Sequence, residues 1–318
     1  MSATRPTLLV LRALGLGDLL TGLPALRALA EAFPRHRRLL AAPRALAPLA
    51  RLGGAVDEVV DVTGLAPLPA APPDVAVNLH GPGLQSHQVL LAAQPRRLVA
   101  FQHAEIPQTR GAPRWRADEH EVERWCRLLV EHGIAADPTR LELTPPVAPV
   151  PPGAVGATLI HPGAASAARR WPADRWAAVA HAERAAGRPV IVTGGAGEIP
   201  LARAVARRAG LEAGAVQAGT DLEQLTALVA AAARVVVGDT GIAHLATALG
   251  TPSVVLFGPT PPALWGPPPL RRRHRALWAG RSGDPHGATI DPGLLAISVG
   301  EVLEALAGLE RTLAGAAA

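Results

Sequence analysis

A chain of 318 residues with 49% hydrophobic residues is too long for one ordinary core and apolar enough to fill two. Its formal net charge of +5 is carried by arginine alone, because no lysine occurs, which excludes a lysine nucleophile and points to anionic partners. Aromatic residues at 3% offer too little stacking surface for a nucleic-acid binder, and the single cysteine, Cys126, excludes an intrachain disulfide or a multi-cysteine metal site.

The opening stretch "MSATRPTLLVLRALG" lacks the basic head and long apolar run of a secretion signal. No segment reaches the roughly 18 uninterrupted apolar residues of a membrane span. A cytoplasmic protein is expected. The arginines gather at 35–38, in "RGAPRWR" (110–116) and in "RRRHR" (271–275). These clusters suit a solvated basic face, a phosphorylated substrate or peripheral contact with an anionic membrane surface at the inner face of the plasma membrane.

Short β-branched or leucine-rich runs alternate with helical stretches, the pattern of parallel sheets joined by crossover helices. In the first half, strands are expected at 7–12, 37–41, 58–61, 74–79 and 97–100, with helices at 18–33, 43–53, 84–93 and 118–133. "LTPPVAPVPPGAVG" (143–156) then stacks prolines that can neither join a ladder nor continue a helix. The chain therefore reads as two doubly wound domains, 1–148 and 149–318, facing a central cleft at the carboxyl ends of their strands. In the second half, strands are expected at 157–163, 189–195, 214–217, 234–240 and 253–259. The intervening helices fall at 172–187, 198–210, 221–232 and 241–249. A final helix near 298–313 packs with its own domain or back on the first.

Within the first strand–helix junction, "LVLRALGLGDLL", the dinucleotide fingerprint GxGxxG fails, because Leu20 stands where a third glycine is needed. Asp18 directly follows Gly17, and a carboxylate there repels a pyrophosphate. It fits a general base that an acceptor reaches past Gly15 and Gly17, or a cap for a helix starting at Leu19. No acidic residue ends the next strand near 41 either, which weakens a nicotinamide oxidoreductase as the alternative. His80 and His103 follow two later strands and fit either the acceptor half of the cleft or structural roles.

The second half holds the sharpest pattern, "VVVGDTGIAHLATALGTPSVVLFGPTPPALWGP" (235–267). A buried strand ends at Gly238, Asp239 and Thr240 carry oxygens suited to capping the next helix, and Gly241 admits a ligand close to the backbone. Free amides at such a helix start form an anion site suited to a diphosphate. His244 lies one turn further on. In "IHPGAASAARRWPADRWAAVA" (160–180), Arg169 and Arg170 sit on a loop at a strand's carboxyl end, where a guanidinium can bind phosphate through two hydrogen bonds. In "VTGGAGE", Glu198 follows a glycine loop and suits a ribose diol or the positive end of a helix dipole.

These stretches, with "GLGDLLTGLPALRAL", resemble glycosyltransferase family nine, the heptosyltransferase-like enzymes of lipopolysaccharide assembly, in the family's order and spacing over nearly the whole chain. The resemblance implies a GT-B architecture with the nucleotide sugar held mainly by the second domain. It implies an inverting, metal-independent transfer, with an ADP-sugar such as ADP-heptose as donor and a hydroxyl of a glycan, a lipid-linked or a secondary-metabolite acceptor. Carried over, the family's N-terminal aspartate falls on Asp18 as general base. Its cation before the Trp-Pro pair, usually lysine, falls on Arg169, or on Arg170 if the loop register differs. Its helix-start cluster falls on Asp239, Thr240, Gly241 and His244, and its acidic nucleotide contact on Glu198. The family's late cysteines are absent, and "GRSGDPHGATIDP" (280–292) stands in that region, which leaves the acceptor open. No paired aspartates of DxD type stand ready for a divalent metal, and no cofactor is called for. A non-catalytic nucleotide-sugar-binding protein on the same fold is the remaining alternative.

Overall fold

The first strand, β1 (Thr7–Leu11), is apolar from Leu8 to Leu11, and these four residues are buried. A strand with no polar face is what a parallel sheet covered on both sides demands. The computed structural model describes residues 5–68 and 71–317, so part of the opening stretch read for a leader lies outside them. After β1 come α1 (Leu16–Thr21) and α2 (Leu23–Ala32), β2 (Arg37–Ala42), α3 (Ala47–Leu52), β3 (Glu58–Asp61), β4 (Val75–Asn78), α4 (Leu84–Ala92), β5 (Arg97–Val99) and α5 (Glu121–Glu131). The five strands form one parallel sheet in the order β3-β2-β1-β4-β5. Leu9 lies between Leu39 and Ala76, all within the core of this unit.

The single helix expected over 18–33 is two helices, and the first begins before Asp18. Gly22 ends α1 and opens α2, and Pro24 in the first turn of α2 has no N–H to continue the α1 ladder. A Cβ on Gly22 would sit 3.0 Å from Nε of Arg12, so the glycine leaves room for that side chain. Residues 43–53 open as a tight turn before α3, and the helix expected over 118–133 starts later, capped by His120, whose side chain accepts from the Val122 N–H.

The chain divides into two units at Leu143 and Thr144, inside the proline-rich stretch. The second unit runs through β6 (Thr158–His161), α6 (Ala173–Ala185), β7 (Val190–Gly194), α7 (Ile199–Arg208), β8 (Val216–Ala218), α8 (Leu222–Ala231), β9 (Arg234–Gly238), α9 (Gly241–Leu249) and β10 (Ser253–Phe257). It ends with α10 (Pro262–Trp265), β11 (His274–Trp278), α11 (Pro292–Ala296) and α12 (Val299–Ala317). Its sheet is also parallel, in the order β11-β10-β9-β6-β7-β8. β11 was not expected: it comes from the arginine cluster at 271–275, and as an edge strand with three exposed residues it carries no apolar run to announce it. Val302, Leu306 and Leu309 of α12 are buried in one core with Trp171, Trp176, Val190 and Leu256.

Each sheet reverses its winding once, between β1 and β4 in the first unit and between β6 and β9 in the second. Open α/β sheets bind ligands at the carboxyl ends of the strands flanking such a reversal.

Candidate functional site

In the first unit, β1 leads into Arg12 and α1. Gly15 is extended, α1 begins at Leu16, and Asp18 stands in the helix's first turn with its Oδ2 accepting the Gly15 N–H at 3.1 Å. Asp18 is thus not the cap of a helix starting at Leu19. It reaches back one turn, a position the helix dipole favours for a carboxylate. Gly17 likewise lies inside α1 rather than in an open turn, and its carbonyl accepts from the Thr21 hydroxyl at 3.0 Å. The Asp18 side chain remains 26% exposed, so its carboxylate is presented to solvent.

Arg12, which sequence reasoning passed over, is 1% exposed. It donates to the carbonyls of Asp18 and Leu79, and through Nη2 to Thr21 Oγ1 and Glu121 Oε1, each at 3.1 Å. Its guanidinium lies 4.9 Å from the Trp125 ring centroid, and Glu121 also accepts from Trp125 Nε1 at 2.8 Å and from Arg124. The only sequence signal was an arginine closing an otherwise apolar strand.

His80 follows β4 after Leu79. Its N–H donates to Asn78 Oδ1 at 3.0 Å, while its Nδ1 is buried with no hydrogen-bond partner. Burial first and the Arg12 charge second hold its pKa below the ordinary value, against an opposing pull from Asp18. Burial thus favours the neutral ring, which lies within electrostatic reach of Asp18. His103 belongs to a different cluster: its Nδ1 accepts the Glu105 N–H at 3.2 Å, and its ring lies 5.6 Å from that of buried His87. Further along the same loop, Arg114, Trp115 and Arg116 line a cavity of about 500 Å³ with Glu131. The cluster at 35–38 is partly neutralised, Arg37 pairing with Glu58 and Arg38 with Asp57.

In the second unit the carboxyl ends of β9, β6 and β7 stand side by side, because β6 pairs with both neighbours. The loop after β6 makes a single tight turn ending at Arg169. Arg169 donates from Nη1 to the Asp239 carbonyl at 3.2 Å and from Nε to Ser166 Oγ at 3.3 Å, which sets its guanidinium against the start of α9. Arg170 turns away, exposed, and donates to the Ala164 carbonyl at 2.8 Å. Trp171 is buried, donates to the Ile297 carbonyl at 3.1 Å and stacks edge-on against Trp176, anchoring the loop.

The expected side-chain cap of α9 is not made. Thr240 is the N-cap residue in extended conformation, yet its hydroxyl bonds no amide and is buried without a partner. Asp239 is 6% exposed, and burial pushes its carboxyl up to about 6, against the opposing effects of Arg169 and a hydrogen bond from Thr260. Gly241 is the first helical residue, and His244 packs edge-on against Trp265 at 5.8 Å. The start of α9 thus offers amides that no side chain caps, a buried hydroxyl and an adjacent guanidinium. Such a set can take an anion.

Glu198 accepts the Gly195 N–H through Oε2 at 2.8 Å and lies directly over Gly163, where an added Cβ would fall 2.1 Å from its carboxylate carbon. A side chain at 163 would push the Glu198 carboxylate aside. The same Oε2 is 3.7 Å from Nε2 of buried His161, whose Nδ1 meets Thr193 Oγ1 at 3.0 Å. Burial lowers the His161 pKa, with Glu198 opposing. His161 was quoted in its motif without a role, since a strand-end histidine carries no distinct local pattern. A cavity of about 300 Å³ opens beside Ala168, lined by Arg281, Ser282, Asp284, Thr289 and Asp291 of the segment 280–292. Among the described residues no group of three or more histidine, cysteine or acidic side chains could hold a metal ion, and no helix is long and apolar enough to cross a membrane.

The sequence model of Glycosyltransferase family 9 (heptosyltransferase) matches residues 108–288. A search of curated proteins finds no match. Among solved structures, the chain is similar to the ADP-heptose lps heptosyltransferase II of E. coli, with a TM-score of 0.72 and 22% identity over 95% of this chain and 98% of that one. A glycosyl transferase family 9 protein from Veillonella parvula gives a TM-score of 0.76 and 20% identity, covering 97% and 98%. The E. coli heptosyltransferase WaaC with ADP gives 0.71 and 18%, covering 95% and 99%.

Proposed function

The chain belongs to glycosyltransferase family 9, the heptosyltransferase family, and from that membership we propose that it is an inverting, metal-independent transferase using an ADP-sugar, with ADP-heptose as the donor. The observation that carries this reading is Arg169 bonded to the Asp239 carbonyl beside the uncapped start of α9. A nucleoside diphosphate laid there finds a guanidinium and helix amides for its phosphates, so fixed protein groups take the leaving-group charge that a divalent cation takes in other transferases. Glu198 keeps Oε1 for the ribose diol while Oε2 is held by Gly195.

Asp18 is the base of this mechanism. An acceptor hydroxyl oxygen attacks the anomeric carbon, its proton passes to Asp18, and the bond to the diphosphate breaks on the opposite face of the sugar. The acceptor is a hydroxyl of a glycan, a lipid-linked saccharide or a small molecule. The exposed arginines of the loop 110–116 suit an anionic one, and a lipid-linked acceptor would bring the protein to a membrane face.

Calorimetric titration with ADP, GDP and UDP tests the donor. ADP is expected to bind at least tenfold tighter than the others, a margin of about 1.4 kcal/mol. Tighter binding of UDP or GDP overturns the donor assignment. ADP release from ADP-heptose is expected to be unchanged by EDTA. Loss of activity in chelator, restored by magnesium or manganese, overturns the metal-free mechanism.

A further inference from the structure

We propose that Arg12 is a positioning residue for the reaction: its buried guanidinium ties the turn carrying Asp18 to the turn carrying His80, so that the base is held in one place. The proposal rests on the reading of Asp18 as the base.

A guanidinium this deeply buried needs a counter-charge, and Glu121, 4% exposed, supplies it. Charge compensation alone would be met by that pair. The remaining donors go elsewhere, to the Asp18 carbonyl, to Thr21 Oγ1 on the same helix and to the carbonyl of Leu79, the residue immediately before His80. One planar group thereby spans β1, α1, the end of β4 and α5. The five fixed N–H donors of arginine allow this, whereas an ammonium has three donors around one point and cannot reach the same set.

The surroundings preserve the arrangement. Trp125 covers the guanidinium, and Gly22 has no Cβ to crowd it. Nη2 stops 3.9 Å from Asp18 Oδ1, beyond hydrogen-bond range. The cation therefore orients Asp18 through its backbone and leaves Oδ1 open to accept a proton. His80, whose Nδ1 is unpartnered, follows the Leu79 carbonyl that the same guanidinium holds.

The test measures ADP release from ADP-heptose with water as the acceptor, in the full-length protein. Arg12→Lys keeps the charge and is expected to lower kcat on the order of 10- to 100-fold, the scale of a small misplacement of a catalytic group. Calorimetric affinity for ADP is expected to stay within about twofold, because the nucleotide groups belong to the second unit. In an Asp18→Asn background, adding Arg12→Lys is expected to change kcat by less than about twofold, because a residue acting through Asp18 has nothing left to position. Should Arg12→Lys not fold, Thr21→Val removes one acceptor and leaves the Glu121 pair intact. It is expected to show a smaller kcat loss with the same non-additivity, rescued by Thr21→Ser.

An unchanged kcat in Arg12→Lys, a fall in ADP affinity that matches the loss of rate, or a full additional loss in the Asn background each overturns the proposal. Asp18→Asn at the parental rate instead overturns the base assignment, and this inference with it.

Discussion

The two carboxylates that flank the sheet reversals are held in opposite ways. Asp18 is a quarter exposed, takes one backbone N–H and lies near a cation that is itself neutralised by Glu121. Asp239 is nearly sealed, and burial outweighs the nearby Arg169 so far that its carboxyl titrates at about 6. An exposed carboxylate fixed by its backbone can receive a proton from a substrate. A sealed one is costly to ionise, which suits a structural place at the start of α9, where the proposed function puts the phosphate.

Removing the exposed carboxylate is expected to have the largest effect. Asp18→Asn retains an oxygen for the Gly15 N–H, so stability should move by less than about 1 kcal/mol, while kcat falls on the order of 10²–10⁴. Steady-state ADP release and thermal melting check both halves, and a variant that melts early while turning over normally would make Asp18 structural.

The sealed carboxylate predicts the reverse. An unfolded aspartate titrates near 3.8 and the folded Asp239 near 6, so the folded state holds more protons in between and stability falls as pH rises through that window. Asp239→Asn should therefore match the parent near pH 4 and exceed it by up to about 3 kcal/mol above pH 6. Denaturant unfolding across this range measures the gap, and a constant difference at all pH values would remove the buried charge as its cause.

Arg169→Ala should weaken ADP by about 10- to 100-fold, the worth of a charged hydrogen-bond donor, whereas Arg170→Ala should leave it within about twofold. Equal losses in calorimetric titration would return the assignment to an open choice between them. The smallest effect is expected from Gly163→Ala, whose Cβ meets the Glu198 carboxylate: ADP affinity should fall by about tenfold or less, with kcat kept. A larger loss of kcat than of affinity would show that the Glu198 pocket acts on the reacting bond.

Much of this was legible without coordinates. Apolar runs alternating with helical periods were enough to read two doubly wound domains, because the buried strands of a parallel sheet read as continuous apolar runs and the helices between them keep their own period. The motifs at 160–180, 192–206 and 235–267 led to Arg169, Glu198 and Asp239 for the same reason: strand ends and helix starts have local signatures. Whether Arg169 or Arg170 faces α9 did not, since one tight turn decides it. β11 escaped because an exposed edge strand has no core face to pattern.

The sequence by itself determined the elements, their alternation and the glycine-rich turns that punctuate them, all set by the chemistry of neighbouring residues. Only the tertiary structure decided the strand order that brings β1 beside β4 and β6 beside β9. The same holds for the Arg12–Glu121 pair, 109 residues apart, and for Glu198 over Gly163. A buried charge has no local pattern, because its partner is chosen by the fold, and the cost of leaving it unpaired appears only when the chain closes around it.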